Sequence, residues 1–245
     1  QEQSERFRDL SAIIRVVDMA YDCGIHAFMF NTHDRVAQLC DHFRANQNRY
    51  ADLRIYPSMP YAHKYANMVN EKGAAGALNE LLFAGNTAGQ VIGTIFRGGM
   101  SVLTQNMIEV MKLLVDQEMK MFRELNVRVV FLQNIITDLL LGLGVKEPFI
   151  EFTDYVNKKY NAEAGFNSMN MPLLLNFLED AGLHNPIICS SINKIGYLMN
   201  PDVASYEAAL KDRQFRPMAM SILASGAVPP PEAIDYVLSF GKVQS

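Results

Sequence analysis

Residues 186–196 read PIICSSINKIG, a short apolar run that ends abruptly in small polar residues and is followed by a helical pattern. Five further runs along the chain end in the same way. They are IHAFMF, LRIYP, VRVVFLQ, AGF and PMAM, and they begin at residues 25, 53, 127, 164 and 217. Alternating strands and helices are what a parallel sheet requires, because each crossover has to return the chain to the same edge. The pattern therefore predicts an α/β fold.

The number of units favours a barrel. We predict a single-domain (β/α)8 TIM barrel over residues 1–245, with an irregular helical insertion around 73–100. Such a barrel has eight strands, so we expect a first strand before Gln1 and a last strand from about Val243. Residues 90–96, QVIGTIF, suit either a strand or a helix, because periodicity does not separate the two in so short a run. We favour a helix or loop there.

Composition narrows the class of protein. The 245 residues are 49% hydrophobic, which suffices for one large core, and the net charge of −4 is spread along the chain. No basic stripe suits a nucleic acid, and polar residues interrupt the longest apolar stretches, so we predict neither a nucleic-acid nor a membrane partner. Cys23, Cys40 and Cys189 form no Cys-x-x-Cys pair. A cytoplasmic location fits this cysteine usage best.

Polar side chains gather where the predicted strands end. In a barrel the carboxyl ends of the strands form the active site, so these clusters should converge on one mouth. Neutral amides and hydroxyls of this kind bind sugars, polyols or carbonyl compounds by hydrogen bonds. The alternative is that Asn and Ser are turn formers that face solvent. The predicted substrate-binding residues are Asn31, Tyr56, Asn134, Asn167, Ser190, Ser191 and Asn193.

Lys194 is the first candidate for catalysis. It follows the run at 186–190, between small polar residues and the apolar IGYLM. A lysine desolvated at such a mouth can attack a carbonyl as a neutral amine, as Schiff-base lyases and aldolases require. We expect its amine to point into the polar mouth. The alternative is a solvated lysine or one that fastens the loop.

His33 and Asp34 form the second catalytic candidate. Together with His63 they supply imidazole and carboxylate groups for proton transfer or metal binding. A catalytic divalent site usually has three protein ligands, and no further acidic residue follows another strand. We therefore predict no metal site, and the competing interpretation is that Asp34 caps the helix it begins.

Two segments resemble the aldo-keto reductase superfamily. Residues 220–228, MSILASGAV, are similar to the exit of its seventh strand, and residues 27–34, AFMFNTHD, are similar to the exit of its second strand. The resemblance implies a TIM barrel and an ancestry in NADPH-dependent carbonyl reduction.

The residues that would carry that reduction are replaced. Asn31 stands where the family has Asp, and Arg35 and Val36 lie where its Tyr belongs. Ser58 or Met59 stands for its Lys, and Gln133 stands for its His. NADPH is therefore disfavoured and the cofactor stays unassigned.

The predicted function is an enzyme acting on a small neutral or carbonyl-bearing metabolite. The alternatives are a Schiff-base lyase that uses Lys194 and a barrel that binds a ligand without catalysis. A Met-rich stretch, which includes Met107, Met111 and Met119, suits either the core or a contact between subunits of a homo-oligomer.

Overall fold

Strands and helices alternate along the chain in a computed structural model that describes residues 9–61 and 100–243. The strands are β1 (Ala27–Asn31), β2 (Arg54–Met59), β3 (Val129–Leu132), β4 (Glu163–Asn167), β5 (Ile187–Ser191) and β6 (Arg216–Met220). The helices are α1 (Leu10–Asp22), α2 (Asp34–Ala45), α3 (Met100–Met119), α4 (Asn134–Leu143), α5 (Glu147–Tyr160), α6 (Met171–Asp180), α7 (Val203–Asp212) and α8 (Pro230–Leu238). Each of the six apolar runs predicted as a strand overlaps one of these strands.

The six strands form one parallel sheet in the order β1-β2-β3-β4-β5-β6. Each strand pairs with its neighbour in sequence, for example with Asn31 beside Ser58 and Ser191 beside Met220. Helices join the strands as crossovers, so every strand ends at the same edge of the sheet. We call this edge the carboxyl edge and the opposite one the amino edge.

The predicted eight-stranded barrel is wrong. The described strands make an open, curled half-barrel, in which β1 and β6 each have one neighbour in the sheet. Six strands of four to six residues curl the sheet through only part of a closed circuit. To close the predicted barrel, two further strands would have to pair with β1 and β6. The described residues contain no such strand.

The sheet has two different faces. On the outer face, Val130, Leu132, Phe166 and Ile188 belong to the main core and pack with helix residues such as Leu174. On the inner face, the alternate positions Val129, Phe131, Ile187 and Cys189 form a second cluster with Met29, Tyr56, Met218 and Met220. Alternate residues of a strand point to opposite faces. A residue's position in its strand therefore decides whether it meets the helices or the inside of the curl.

Helix ends follow local sequence signals. Asp9 accepts a hydrogen bond from Ser11 N (3.0 Å) before α1, and Asp202 accepts one from Ser205 N (2.7 Å) before α7. Such side chains satisfy amides that have no partner within the helix. Gly144 ends α4 in the left-handed conformation (φ 69°), which glycine adopts without steric cost. These signals explain why these helices begin and end at the residues observed.

Several predictions concern residues outside the described ranges. The insertion around 73–100 and the question of residues 90–96 fall in 62–99, as does His63. In the Met-rich stretch, Met111 and Met119 are buried in the main core, as one of the two interpretations expected. Among the described residues, no helix combines the length and apolar character needed to cross a membrane.

Candidate functional site

A row of uncharged polar side chains lies on the inner face at the carboxyl edge. Ser58, Gln133, Asn167 and Ser191 are all buried, and Asn31 is exposed at the end of β1. Asn31, Ser58, Gln133 and Ser191 each follow a side chain of the second cluster by two residues. Asn167 follows Gly165 by two residues, and Gly165 faces the ring of Phe131. We call this set the carboxyl-edge row. It lies where open α/β sheets commonly bind their ligands.

Asn167 is the centre of the row. Its Nδ2 donates a hydrogen bond to Ser58 Oγ (2.8 Å) and lies 4.0 Å from Met29 Sδ. Its side-chain oxygen, Oδ1, is buried and has no hydrogen-bond partner among the residues that the structure describes. A buried polar atom without a partner costs about 1–3 kcal/mol. The hydrogen bond to Ser58 fixes the orientation of the amide, and its oxygen is then an acceptor that the described residues do not use.

Ser191 supplies the second unpaired group. The residue is fully buried at the end of β5, and within residues 9–61 and 100–243 its Oγ has no hydrogen-bond partner. Asn167 pairs with Cys189 in the sheet, so Ser191 lies two residues further along the neighbouring strand on the same face. Oγ can both donate and accept a hydrogen bond. Together the two residues offer a fixed acceptor and an adaptable hydroxyl.

Ser190 faces the helices instead. Its Oγ donates to Ser168 O (2.5 Å) and lies 3.1 Å from the hydroxyl of Tyr206 on α7. That hydroxyl also donates to Met169 O (2.9 Å) and accepts from Met171 N (3.1 Å). Substrate binding by Ser190 stays a prediction, and in this geometry its hydroxyl is engaged with the loop after β4 and with α7.

Asp138 of α4 fastens the same loop from the other side. Its carboxylate accepts hydrogen bonds from Ser168 Oγ (2.6 Å) and Met169 N (3.0 Å). Burial raises the pKa of Asp138, and the two hydrogen bonds offset this only in part. The strand exit that carries Asn167 is therefore anchored to α4 and α7.

Asn193 is a loop tie as well. It is buried, and its side chain donates to Tyr197 O (2.8 Å) and accepts from Tyr197 N (2.8 Å). Both ends of the amide are thus used within the loop after β5. We predicted substrate contact for Asn193, and the observed bonds leave its oxygen and nitrogen occupied by backbone.

The two loops beside Ser191 contain unusual backbone. Leu198 (φ 55°), Ser221 (φ 54°), Ala224 (φ 47°) and Ser225 (φ 59°) adopt the left-handed conformation without being glycine. Side chains with a Cβ rarely take this conformation, and such residues cluster at functional sites. The two loops follow β5 and β6, so this unusual backbone lies beside Ser191 at the carboxyl edge.

Lys194 does not point into the row. Its Nζ donates to Glu232 Oε1 of α8 (2.7 Å), and the lysine side chain is 55% exposed. The expectation that its amine lies among Asn31, Asn134, Asn167 and Ser190 is therefore wrong. Its long flexible stem reaches a carboxylate on the next helix instead, where the pair stays in solvent.

His33 and Asp34 occupy a helix start. Nδ1 of His33 accepts a hydrogen bond from Arg35 N (3.2 Å), so His33 caps α2 and Asp34 is the first residue of the helix. The interpretation that Asp34 caps the helix is therefore wrong by one residue, because the cap is His33. Both side chains are exposed. In residues 9–61 and 100–243 no three His, Cys, Asp or Glu side chains come together as potential metal ligands.

The remaining predicted residues surround the row. Tyr56 is half-buried on the inner face, with its ring centroid 6.4 Å from that of Phe131. Asn134 is the first residue of α4 and partly exposed, one position after Gln133. Of the ten predicted site residues, Asn167 and Ser191 are thus the two whose buried polar atoms lack a partner in the described part of the chain.

Glu118 was missed by the sequence analysis. It is 2% exposed on α3, where it accepts hydrogen bonds from Thr32 Oγ1 and from Tyr61 N (3.0 Å). It joins the exits of β1 and β2 behind the carboxyl-edge row. Its spacing from Met111 and Val115 was a usable signal, because a carboxylate at i+7 of a buried helical face has to find donors.

No protein-family model, curated protein or solved structure matches this chain.

Proposed function

We propose that this chain binds a small, uncharged, hydrogen-bonding molecule, such as a polyol, a sugar or a carbonyl compound, on the carboxyl-edge row. Asn167 Oδ1 would accept a hydrogen bond from the ligand, and Ser191 Oγ would donate one or accept one. The observation that carries the proposal is the pair of buried, unpaired polar atoms on one face of the sheet.

The chemistry of the row supports an uncharged ligand. Its five side chains are amides and hydroxyls, and a charged ligand would lose its hydration there without gaining an opposite charge. The hydrogen bond from Asn167 to Ser58 orients the amide before a ligand arrives. Such preorganisation lowers the entropy lost on binding.

Catalysis by Lys194 receives no support from this geometry. A Schiff-base role needs an amine in an apolar pocket, and the amine of Lys194 lies beside Glu232 in solvent. The aldolase alternative is therefore not carried forward.

The neighbouring serines provide a sharp test. Ser191→Ala removes an unpaired buried hydroxyl, so stability should stay the same or rise while ligand affinity falls about 3–10-fold. Ser190→Ala is the matched control. It should lower stability, because Ser168 O and Tyr206 lose a partner, and it should leave affinity unchanged.

The measurement is ligand-observed NMR against a panel of polyols, monosaccharides and small ketones, with urea unfolding of each variant. The proposal requires at least one panel member to bind the wild type and to bind Ser191→Ala less well. Absence of binding from the whole panel, or equal affinity for both serine variants, would contradict it.

A further inference from the structure

A cavity lies at the amino edge, opposite the edge that carries the carboxyl-edge row. It has a volume of about 420 Å³ and is bounded by the end of α3, the 3-10 turn Lys120–Phe122 and the end of α5. Cavities that hold small molecules typically begin at roughly 300 Å³. We call it the amino-edge cavity. Its size alone permits a ligand, and its charges indicate which kind.

Asp116 is the one carboxylate among the described residues that line the cavity, and its charge is already balanced. Asp116 accepts hydrogen bonds from Tyr155 Oη (2.6 Å), Tyr160 Oη (2.5 Å) and Lys159 Nζ (2.5 Å). Its two oxygens therefore have three donors, one of them charged. Asp116 has little capacity left to attract a cation into the cavity.

Two further cations line the cavity without a carboxylate. Lys120 Nζ donates to the neutral amide of Gln117 (2.6 Å). The guanidinium of Arg123 makes no hydrogen bond or ion pair with the described part of the chain. Since Lys159 balances Asp116, Lys120 and Arg123 leave the lining of the cavity with a surplus of two positive charges. A planar guanidinium whose donors are not used by the described residues suits a carboxylate or phosphate group.

Helix dipoles offset only part of this surplus, because the carboxyl end of a helix carries only about half a negative charge. The carboxyl ends of α3 and α5 carry partial negative charge, and Lys159 in the last turn of α5 complements it. Lys120 and Arg123 bond to no helix-end carbonyl in the described chain. Their charges remain available to a ligand.

The floor of the cavity is apolar. Met119 and Phe122 line it and are 8% and 2% exposed. An inorganic anion would satisfy the cations but leave this surface uncovered. A ligand with an anionic head and an apolar body would use both.

We propose that the amino-edge cavity binds a small amphipathic anion, an aromatic or acyl group that carries a phosphate or carboxylate. Arg123 and Lys120 bind the anionic head, and Met119 and Phe122 contact the apolar body. This site is independent of the carboxyl-edge row and of its uncharged ligand.

Phenyl phosphate is a suitable probe, titrated at low ionic strength and followed by calorimetry. Arg123→Gln and Lys120→Gln should each weaken the binding of phenyl phosphate about 5–10-fold. The expected loss is smaller than for a buried charged hydrogen bond, because both side chains are exposed and solvent screens them. Lys158→Gln is the matched control. Lys158 lies beside Lys159 but pairs with Asp154 outside the cavity, so this variant should bind like the wild type.

The apolar contact is tested by comparing probes. Inorganic phosphate should bind at least about 10-fold more weakly than phenyl phosphate, since burial of a phenyl ring contributes more than 1.4 kcal/mol. Phenol should not compete. The proposal is overturned if phenyl phosphate does not bind, if Lys158→Gln weakens it as much as Arg123→Gln, or if phenol displaces it. Ser191→Ala should bind phenyl phosphate unchanged, which separates this result from any outcome at the carboxyl-edge row.

Discussion

The ring of Phe131 occupies the space that a side chain at Gly165 would need. The two residues are paired across β3 and β4, and a Cβ atom built on Gly165 would lie 2.4 Å from Phe131 Cε1. Because Phe131 is fully buried on the inner face, its ring has little room to move. The glycine is thus required by its neighbour and not by a turn.

We therefore expect Gly165→Ala to destabilise the protein by about 1–3 kcal/mol through overpacking. Combining it with Phe131→Leu should recover part of this loss, so that the double variant is more stable than the sum of the single effects predicts. Urea unfolding of the four proteins measures the coupling. Gly142→Ala is the control, since a Cβ there meets nothing within 4 Å and lies inside α4. It should be neutral or stabilising.

Tyr206→Phe should lower the free energy of unfolding by about 1–3 kcal/mol, because Ser190 Oγ and Met171 N lose a buried partner. Chemical denaturation measures this. The comparison variant is Tyr236→Phe, whose hydroxyl donates to Glu207 (3.0 Å) in a partly exposed place. Equal losses in the two variants would show that the loop network adds nothing beyond an ordinary surface hydrogen bond.

Asp116 should make stability depend on pH. Burial raises the pKa of its carboxyl, but the hydrogen bonds from Lys159, Tyr155 and Tyr160 outweigh this and hold it below the usual value. A depressed pKa stabilises the fold above the unfolded pKa of about 3.9, and this contribution is lost as pH falls through the folded pKa.

Asp116→Asn should accordingly be less stable than the wild type at pH 7, and the difference should shrink below about pH 4. Thermal unfolding at both pH values tests it. Asp154→Asn, which breaks an exposed pair with Lys158, should change stability little at either pH. A difference for Asp116→Asn that stays constant with pH would contradict the assignment.

The three thiols should differ in reactivity. Cys40 and Cys189 are buried, and burial raises the pKa of each to about 12, whereas Cys23 is exposed. Thiolate is the reactive form, so Ellman's reagent at pH 8 should titrate one thiol in the folded protein and all three in urea. Cys23→Ser should abolish the fast reaction. Rapid modification of Cys189 in the folded state would mean that the inner face opens readily.

The strands were predictable because each has an apolar run and a polar exit within a few residues. Closure was not predictable from such runs, because it depends on the pairing of the edges, which is a property of the whole sheet. The length of the chain and the resemblance at 27–34 and 220–228 both favoured eight strands, but the described residues form six. The pattern of residues within one strand carries no information about how many strands the sheet contains.

The site was predictable only in part. The sequence places polar residues at the carboxyl edge, and Asn167 and Ser191 are there. It does not reveal which of two adjacent serines faces inward, since that depends on register with neighbouring strands. Nor does it reveal the partner of Lys194, because Glu232 is 38 residues away and on another helix.

Ser190 and Ser191 are chemically identical neighbours, and the pleat of β5 gives them separate tasks. One hydroxyl holds a loop to α7, and the other is left unpaired on the opposite face. A substitution at Ser191 can thus change what the inner face recognises while the fastening of the loop stays intact. Because the side chains of a strand alternate between its two faces, ligand specificity can change by substitution on one face without destabilising the loop that is held on the other.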